Sequence, residues 1–274
     1  MSLFTVDPQK CNQDGICVQV CPVTIIDFPS NSEVPVPVEG AEKHCIECGH
    51  CVSVCPTAAF SHSKISPEDC PPIREDWQLS PEQAEHFLRS RRSIRNYKQK
   101  AVEKEKLERA IHIASFAPSG HNRQPVKWQV VHNKEEVQKI SENVVQWMRY
   151  LLKEQPDFAK NLHMDRVLQG WEAGLDPISR GAPHLILNHA EQSDPTAHAA
   201  CTIALSYLEL AAPSLGLGAC WAGFVNAAAL FWPPLQEKLN LPEGDALYGA
   251  MLVGYPKFQY QRLPPRKKPN INWR

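Results

Sequence analysis

Eight of the ten cysteines of this 274-residue chain lie in its first 70 residues, and most fall in an approximate repeat. Cys11 to Pro22 (CNQDGICVQVCP) matches Cys45 to Pro56 (CIECGHCVSVCP) in spacing and chemistry. Two matched thiol-rich loops imply a small pseudo-symmetric domain, and residues 1–65 read as that domain. The chain starts MSLFTVDPQK, with no basic segment followed by an apolar run. The most apolar helical stretch, about Ala197 to Pro213, is interrupted by Glu209. It is shorter than the about 20 apolar residues a bilayer span needs. A cytoplasmic location is therefore expected. In that reducing compartment clustered cysteines read as metal ligands or catalysts rather than disulfides. Lys+Arg is 29 and Asp+Glu is 30, a net charge of −1, so there is no basic excess to suggest nucleic acid or a membrane surface as partner.

Cys45, Cys48, Cys51 and Cys55-Pro56 give C-x2-C-x2-C-x3-C-P, the spacing of bacterial ferredoxin-type iron–sulfur clusters. Three thiolates on a tight loop reach one cluster and the fourth ligates the other. The first repeat reads Cys11, Asp14, Cys17, Cys21-Pro22, with Asp14 where a second cysteine is expected. One cluster then uses Cys45, Cys48, Cys51 and Cys21. The other uses Cys11, Cys17 and Cys55, with Asp14 either as a fourth ligand or in a turn with Gly15. A carboxylate is harder than a thiolate and suits iron less well. That cluster is [4Fe–4S] or, with one iron missing, [3Fe–4S]. The competing reading is zinc, for which His44 and His50 are at hand. Seven cysteines, two following prolines and a repeat favour iron–sulfur. Cys70 matches nothing and reads as a free thiol, and Cys201 is given no role.

Residues 66–79 (SPEDCPPIREDWQL) read as a linker, because Pro67, Pro71 and Pro72 exclude regular structure. From Ser80 the pattern becomes α/β. Ser80 and Gln83 form a capping box with Pro81 at the first helical position, for a helix ending near Arg91. Leu107, Ala110, Ile111 and Ala114 recur at helical spacing within 103–116. A long helix is expected over 134–154, and another from Pro195 through Ala212. Val126–His132, Leu185–Leu187, Leu215–Phe224 and Ala246–Pro256 read as strands or turn plus strand, while 158–176 is ambiguous. Trp128, Trp147 and Trp171 are expected in the core. The basic tail QRLPPRKKPNINWR has no periodicity.

Three segments of this second region carry binding chemistry. Arg91, Ser93 and Arg95 alternate, so in an extended segment two forked guanidiniums and a hydroxyl face one side, which suits a phosphate. The bland alternative is a solvated helix end. Pro118-Ser119-Gly120, Asn122 and Gln124-Pro125 put amides, which donate and accept, between a helix and a strand. Their alternative is turn chemistry alone. Gly216, Gly218 and Gly223 around Cys220 and Trp221 let backbone approach a planar ring, or let a strand pack tightly on a helix.

Taken together, RRSIR, APSGHNRQP, LGLGACWAGF and VGYP followed by RLPPRKKP resemble the nitroreductase family of FMN-dependent oxidoreductases over about residues 81–274. The whole arrangement is similar to the subgroup with a two-cluster ferredoxin domain fused ahead. The resemblance implies an α+β fold: a mixed, largely antiparallel nitroreductase-like sheet covered by helices, with a small N-terminal ferredoxin-like 2[4Fe–4S] domain. It implies domains at 1–65 and 80–274 and a homodimer joined through the long helices. By position, Arg91, Ser93 and Arg95 would hold the FMN phosphate and ribityl end, with Arg92 contributing backbone. Pro118, Ser119, Gly120, Asn122 and Gln124 would reach FMN from the second subunit. Cys220, Trp221, Ala222 and Gly223 would lie along the isoalloxazine, and Arg266 or Lys267 would complete the phosphate clamp. Some relatives carry an acid where this chain has Ala222.

The combination implies an FMN- and iron–sulfur-dependent oxidoreductase. Electrons would pass from a ferredoxin-type or NAD(P)H donor through clusters and FMN to a small electrophile such as a nitroaromatic, quinone or activated alkene. No G-x-G-x-x-G follows a strand, so no separate dinucleotide site is expected. No catalytic side chain is named. His121 and His184 read as structural. The alternatives are an FMN/iron–sulfur carrier or redox sensor without organic turnover, and a zinc-stabilised interaction module.

Overall fold

The computed structural model describes residues 2–274. The chain divides into two compact units: residues Met1–Leu79 together with His121–Arg123, and Ser80–Gly120 together with Gln124–Arg274.

The first unit is built from very short elements: β1 (Phe4–Val6), α1 (Ile16–Gln19), β2 (Ile26–Asp27), β3 (Val36–Pro37), α2 (Ala41–His44), α3 (His50–Ser53) and β4 (Phe60–His62). β1 pairs antiparallel with β4 and β2 with β3. The internal repeat of the sequence is a repeat of backbone. Cys11 to Cys45 is an offset of 34 residues, and the same offset links Gln13 to Glu47, Gly15 to Gly49 and Thr24 to Ala58. All six of these residues have positive φ. Gly15 and Gly49 precede α1 and α3 in the left-handed region, at φ 68° and 73°, which only glycine adopts without cost. The sharp reversal before each helix is thus written twice. Leu3, Phe4, Ile25, Ile26, Ala41, Val52 and Phe60 form the small core, with the Phe4 and Phe60 rings 4.5 Å apart. In the 66–79 segment two 3-10 turns form, Pro67–Asp69 and Glu75–Trp77, so its prolines limit but do not abolish local structure.

The second unit contains α4 (Pro81–Ser90), α5 (Lys104–Ala114), β5 (Lys127–Val131), α6 (Lys134–Glu154), α7 (Pro156–Asn161), α8 (Met164–Glu172), β6 (His184–Glu191), α9 (Ala197–Ala211), β7 (Gly218–Trp221), α10 (Gly223–Phe231), α11 (Pro233–Leu239) and β8 (Asp245–Gly254). The sheet order is β5-β6-β8-β7 and every pairing is antiparallel, so the sheet expected as mixed and largely antiparallel is antiparallel throughout. Its central strands are buried on both faces, which explains their unbroken apolar runs. Leu185, Leu187, Ala250 and Leu252 face a core with α6, α8 and α10. Ile186, Met251 and Val253 face the other, with Leu107, Leu205 and Leu208 of α5 and α9. Alternation along a strand sends neighbours to opposite layers.

α6 buries Val137, Ile140, Val144, Met148 and Leu151 at helical spacing, and the Asn133 side chain caps it by accepting from Glu136 N at 3.0 Å. α4 has the expected Ser80–Gln83 capping box but buries no residue, and leaves Phe87 and Leu88 exposed. The ambiguous segment resolves into α7 and α8. Of the three tryptophans expected inside, Trp147 is buried, whereas Trp128 and Trp171 are half-buried at the margins. No helix is long and apolar enough to cross a membrane among the described residues.

Candidate functional site

In the first unit, Cys21, Cys45, Cys48 and Cys51 line one cavity, walled by Phe4, Ile26 and His62. Three come from one repeat and Cys21 from the end of the other. The remaining set, Cys11, Cys17 and Cys55, lies close enough for Cys17 to feel both partners electrostatically. Burial pushes the Cys51 thiol up to about 11 and raises Cys17, so a metal centre there must displace protons to bind. At Cys55 burial also acts upward, but bonds from Thr57 and the Ala59 amide outweigh it and leave the thiol lowered. Backbone N–H groups already point at sulfur: Glu47 N donates to Cys45 Sγ at 3.4 Å, and Ala59 N to Cys55 Sγ at 3.3 Å. Amide donors around a set of thiols suit anionic iron–sulfur groups. The thiols line cavity walls; among the described residues no three His, Cys, Asp or Glu side chains are arranged to hold a single metal ion.

Asp14 behaves differently from its repeat partner Cys48. It is exposed, and its Oδ1 accepts from Ile16 N at 3.0 Å, closing the turn that starts α1. Cys70 packs at the edge of the small core.

In the second unit, close backbone approach joins two of the predicted segments. Ile94 N donates to Ala219 O at 2.9 Å. A Cβ on Gly218 would stand 2.6 Å from Ile94 Cγ1, so only glycine permits this contact. The RRSIR segment is thereby laid along β7. Arg95, Cys220, Trp221, Ala222 and Gly223 then line a single cavity of about 380 Å3. Gly223 faces open space, with nothing within 4 Å of a Cβ built there. Burial raises the Cys220 thiol, keeping it protonated. Ser93 is half-buried, with its Oγ 3.5 Å from Arg91 Nη1. Arg92 donates to Arg89 O at 2.7 Å, but its buried Nε has no partner.

The other predicted loop lines a different cavity, of about 430 Å3, through Pro118, Ser119 and Gln124 with Trp128 and Ala204. Ser119 Oγ accepts from Gln124 N at 2.9 Å. A Cβ on Gly120 would lie 2.7 Å from Thr196 Cγ2. Non-glycine residues His121 and Gln124 have φ of 51° and 48°, strain of the kind that accumulates at functional loops. Asn122 is grouped with the first unit, where its amide donates to Ile46 O at 3.1 Å and Glu47 O at 2.9 Å. The amide expected at the flavin thus bonds the Cys45–Cys48 loop. Arg266 and Lys267 lie on an exposed terminal segment without secondary structure. His184, expected to be structural, is wholly buried between Val102 N and His132 O.

The sequence matches the nitroreductase family over residues 88–255 and a 4Fe–4S dicluster domain over residues 4–56. The chain belongs to the nitroreductase family. It is 26% identical over 171 residues to an Archaeoglobus fulgidus protein named as a candidate NADH dehydrogenase/NAD(P)H nitroreductase, covering 62% of this chain and 84% of that one. A ferredoxin 7Fe of Hydrogenibacillus schlegelii is 32% identical over 75 residues, covering 25% of this chain and 82% of the ferredoxin. A Bacteroides fragilis nitroreductase crystallised with bound FMN shares the fold, with a TM-score of 0.56 at 20% identity over 70% of this chain and 99% of its own. The chain is therefore a flavin oxidoreductase of the nitroreductase family with an N-terminal 4Fe–4S dicluster domain.

Two residues of the nitroreductase domain escaped the sequence reading. Glu209, the one carboxylate on α9, is nearly buried and pairs with Arg91 at 2.7 Å. It also accepts from Trp221 Nε1 at 3.2 Å, so one carboxylate holds both the RRSIR segment and the end of β7. An acid alone in an apolar helix was the available signal, and it was read only as an interruption. Arg180 lines the same cavity as Arg95, and both guanidiniums face it without an ion pair among the described residues. Its loop is organised by Asp176, whose carboxylate accepts from Ile178 N, Ser179 N and Gly181 N. No motif announced it.

Proposed function

We propose that the protein carries electrons from a ferredoxin-type or NAD(P)H donor, through iron–sulfur clusters and FMN, to a small electrophile such as a nitroaromatic, quinone or activated alkene. The observation carrying this reading is that one chain has both a cavity lined by four thiols, one of them accepting from a backbone amide, and a cavity pairing free guanidiniums with an aromatic, glycine-backed wall. Cys21, Cys45, Cys48 and Cys51 would hold a [4Fe–4S] cluster. Cys11, Cys17 and Cys55 would hold a [3Fe–4S] cluster, because Asp14 is committed to its turn. The likeness to a protein named ferredoxin 7Fe supports that pairing.

At the flavin, Arg91, Arg92, Ser93, Arg95 and Cys220–Gly223 would bind from one protomer. Pro118, Ser119, Gly120 and Gln124 would come from the second subunit of a homodimer. Their placement on a separate cavity of the same chain supports that division. Arg266 or Lys267 would close over the phosphate. Arg180 joins this set as a further cation facing the ring cavity. FMN accepts electrons singly or in pairs, which lets one-electron clusters serve a two-electron acceptor. The protein's own part is to bind, orient and exclude water; among the described residues no carboxylate or imidazole lines that cavity. A reducing cytoplasm suits the ten free thiols.

Anaerobically purified protein tests this. FMN together with iron and sulfide in the ratio of one three-iron and one four-iron cluster is expected, with turnover of a model nitroaromatic. Bound FMN without turnover of any acceptor would favour a carrier or sensor. In stopped flow, a Cys48→Ser variant reduced by NADH as fast as wild type would show that the clusters are not the entry for that donor.

A further inference from the structure

The repeat writes the same backbone twice, yet only one copy sets an imidazole against a thiol. His62 ends β4, paired with Phe4 of β1, and is 7% exposed. Its Nδ1 accepts from Lys64 N at 3.1 Å. That bond occupies the Nδ1 lone pair, so the neutral ring carries its proton on Nε2. Nε2 lies 3.5 Å from Cys45 Sγ, within range for an N–H···S bond. The tautomer is therefore chosen by the main chain and aimed at the sulfur. With Glu47 N, this gives Cys45 two N–H donors.

The offset of 34 residues carries Phe28 onto His62. The position equivalent to His62 in the other repeat thus carries an apolar side chain with no N–H to donate. The two sites share a loop geometry but not their side-chain partners: Cys45 meets the His62 imidazole, whereas Cys55 meets the Thr57 hydroxyl at 3.6 Å.

We propose that His62 donates its Nε2–H to the Cys45 sulfur as a positioning and tuning residue, raising the reduction potential of the cluster held by Cys21, Cys45, Cys48 and Cys51. This rests on the cluster assignment above. A donor to a ligand sulfur favours the reduced, more negative state of the cluster, and hydrogen bonds to sulfur are among the determinants of cluster potential. The contact thereby shifts the potential of this cluster without changing its ligands.

The test is a redox titration of the anaerobic full-length holoprotein followed by electron paramagnetic resonance. His62→Phe, which copies the other repeat, is expected to make reduction of this cluster about tenfold less favourable, or about 59 mV for one electron. The second cluster should not move. His62→Gln restores an N–H near the same place and should recover most of the shift. In the wild-type protein with 15N-histidine, hyperfine spectroscopy of the reduced cluster should detect a histidine nitrogen. Unchanged potentials in a His62→Phe protein with full iron and sulfide would overturn the proposal. So would equal shifts of both clusters, or a Gln variant that behaves as Phe does. If His62→Phe fails to retain its cluster, the Gln variant and the labelled wild type decide. Wild-type protein without iron and sulfide would instead overturn the cluster assignment itself.

Discussion

The two units hold their reactive groups by opposite means. In the first, thiols sit on short loops whose left-handed residues recur at Gly15 and Gly49, over a core of eight buried residues. In the second, a sheet covered on both faces supports a cavity whose walls come from segments far apart in the chain. A unit so small cannot bury enough surface to stand firmly by itself, and domains of this size are usually stapled by metal or disulfide. Its cysteine-bearing loops are therefore expected to lean on what they bind, whereas the second unit has its site built into a larger core.

That contrast yields the largest expected effect. Cys48→Ala removes one of the four thiols that line the first unit's cavity. Because metal binding supplies folding free energy to small sites, amide hydrogen exchange in residues 2–65 should speed by at least about a hundredfold, equivalent to about 3 kcal/mol. Exchange in β6 and β8 should not change. Joint loss of protection in both units would show that the second depends on the first, and would break the comparison.

The second unit has its own weak point, and it is electrostatic. Glu209 is nearly buried and satisfies both Arg91 and Trp221 Nε1. Glu209→Ala leaves Arg91 facing an apolar helix without its partner. Breaking such a pair costs about 3 kcal/mol, at the low end because Arg91 retains some solvent. Thermal unfolding should drop accordingly, and FMN should be released more easily because Arg91 and Trp221 lose their common anchor. Exchange in the first unit should be unaffected. A Glu209→Ala protein with wild-type melting and wild-type flavin retention would remove this carboxylate from the account.

Legibility follows the same division. The cysteine positions were readable because a cluster is held by local spacing, and the repeat supplied its own control: Asp14 stood out only against Cys48. The helix from Pro81 followed from its capping box and the one at 104–114 from apolar periodicity, which are also local. What escaped is non-local. Glu209 lies 118 residues from Arg91, and Arg180 enters through a loop shaped by Asp176. The engagement of Asn122 with the Cys45–Cys48 loop spans 76 residues and no motif encodes it. Trp128 and Trp171 were placed inside on residue type alone, but bulky amphipathic rings often end at a core margin. The central strands β6 and β8 lack alternation because both faces are covered, so their pattern alone says nothing of strand direction.

A subtler change sharpens the contrast between the repeats. Asp14→Cys places a thiol at the repeat position of Cys48. The Oδ1 bond to Ile16 N is lost, a cost of about 1 kcal/mol for an exposed turn. In exchange, the three-thiol set gains a fourth ligand. Iron content should rise by one iron per chain, and the resonance of an oxidised three-iron cluster should vanish. Unchanged iron content and spectrum would mean that residue 14 points away from the cluster whatever its chemistry.

The smallest effect concerns acid stability, and it belongs to the second unit. His184 is wholly buried; its Nδ1 donates to His132 O at 2.8 Å and its Nε2 accepts from Val102 N at 2.7 Å. Burial lowers its pKa, despite the carbonyl of His132, so the folded protein binds this proton less readily than the unfolded chain. The stabilisation is complete above the unfolded value of about 6.5 and is lost as pH falls through it towards the lower folded value. Protonation would also turn Nε2 into a donor facing the Val102 N–H. Between pH 7.5 and 5.5, at about constant ionic strength, the melting temperature should therefore fall more steeply in wild type than in His184→Gln, which cannot titrate. Parallel slopes would mean that the acid sensitivity of the second unit lies elsewhere, and would leave the His132–His184 stack, with rings 4.3 Å apart, as packing alone.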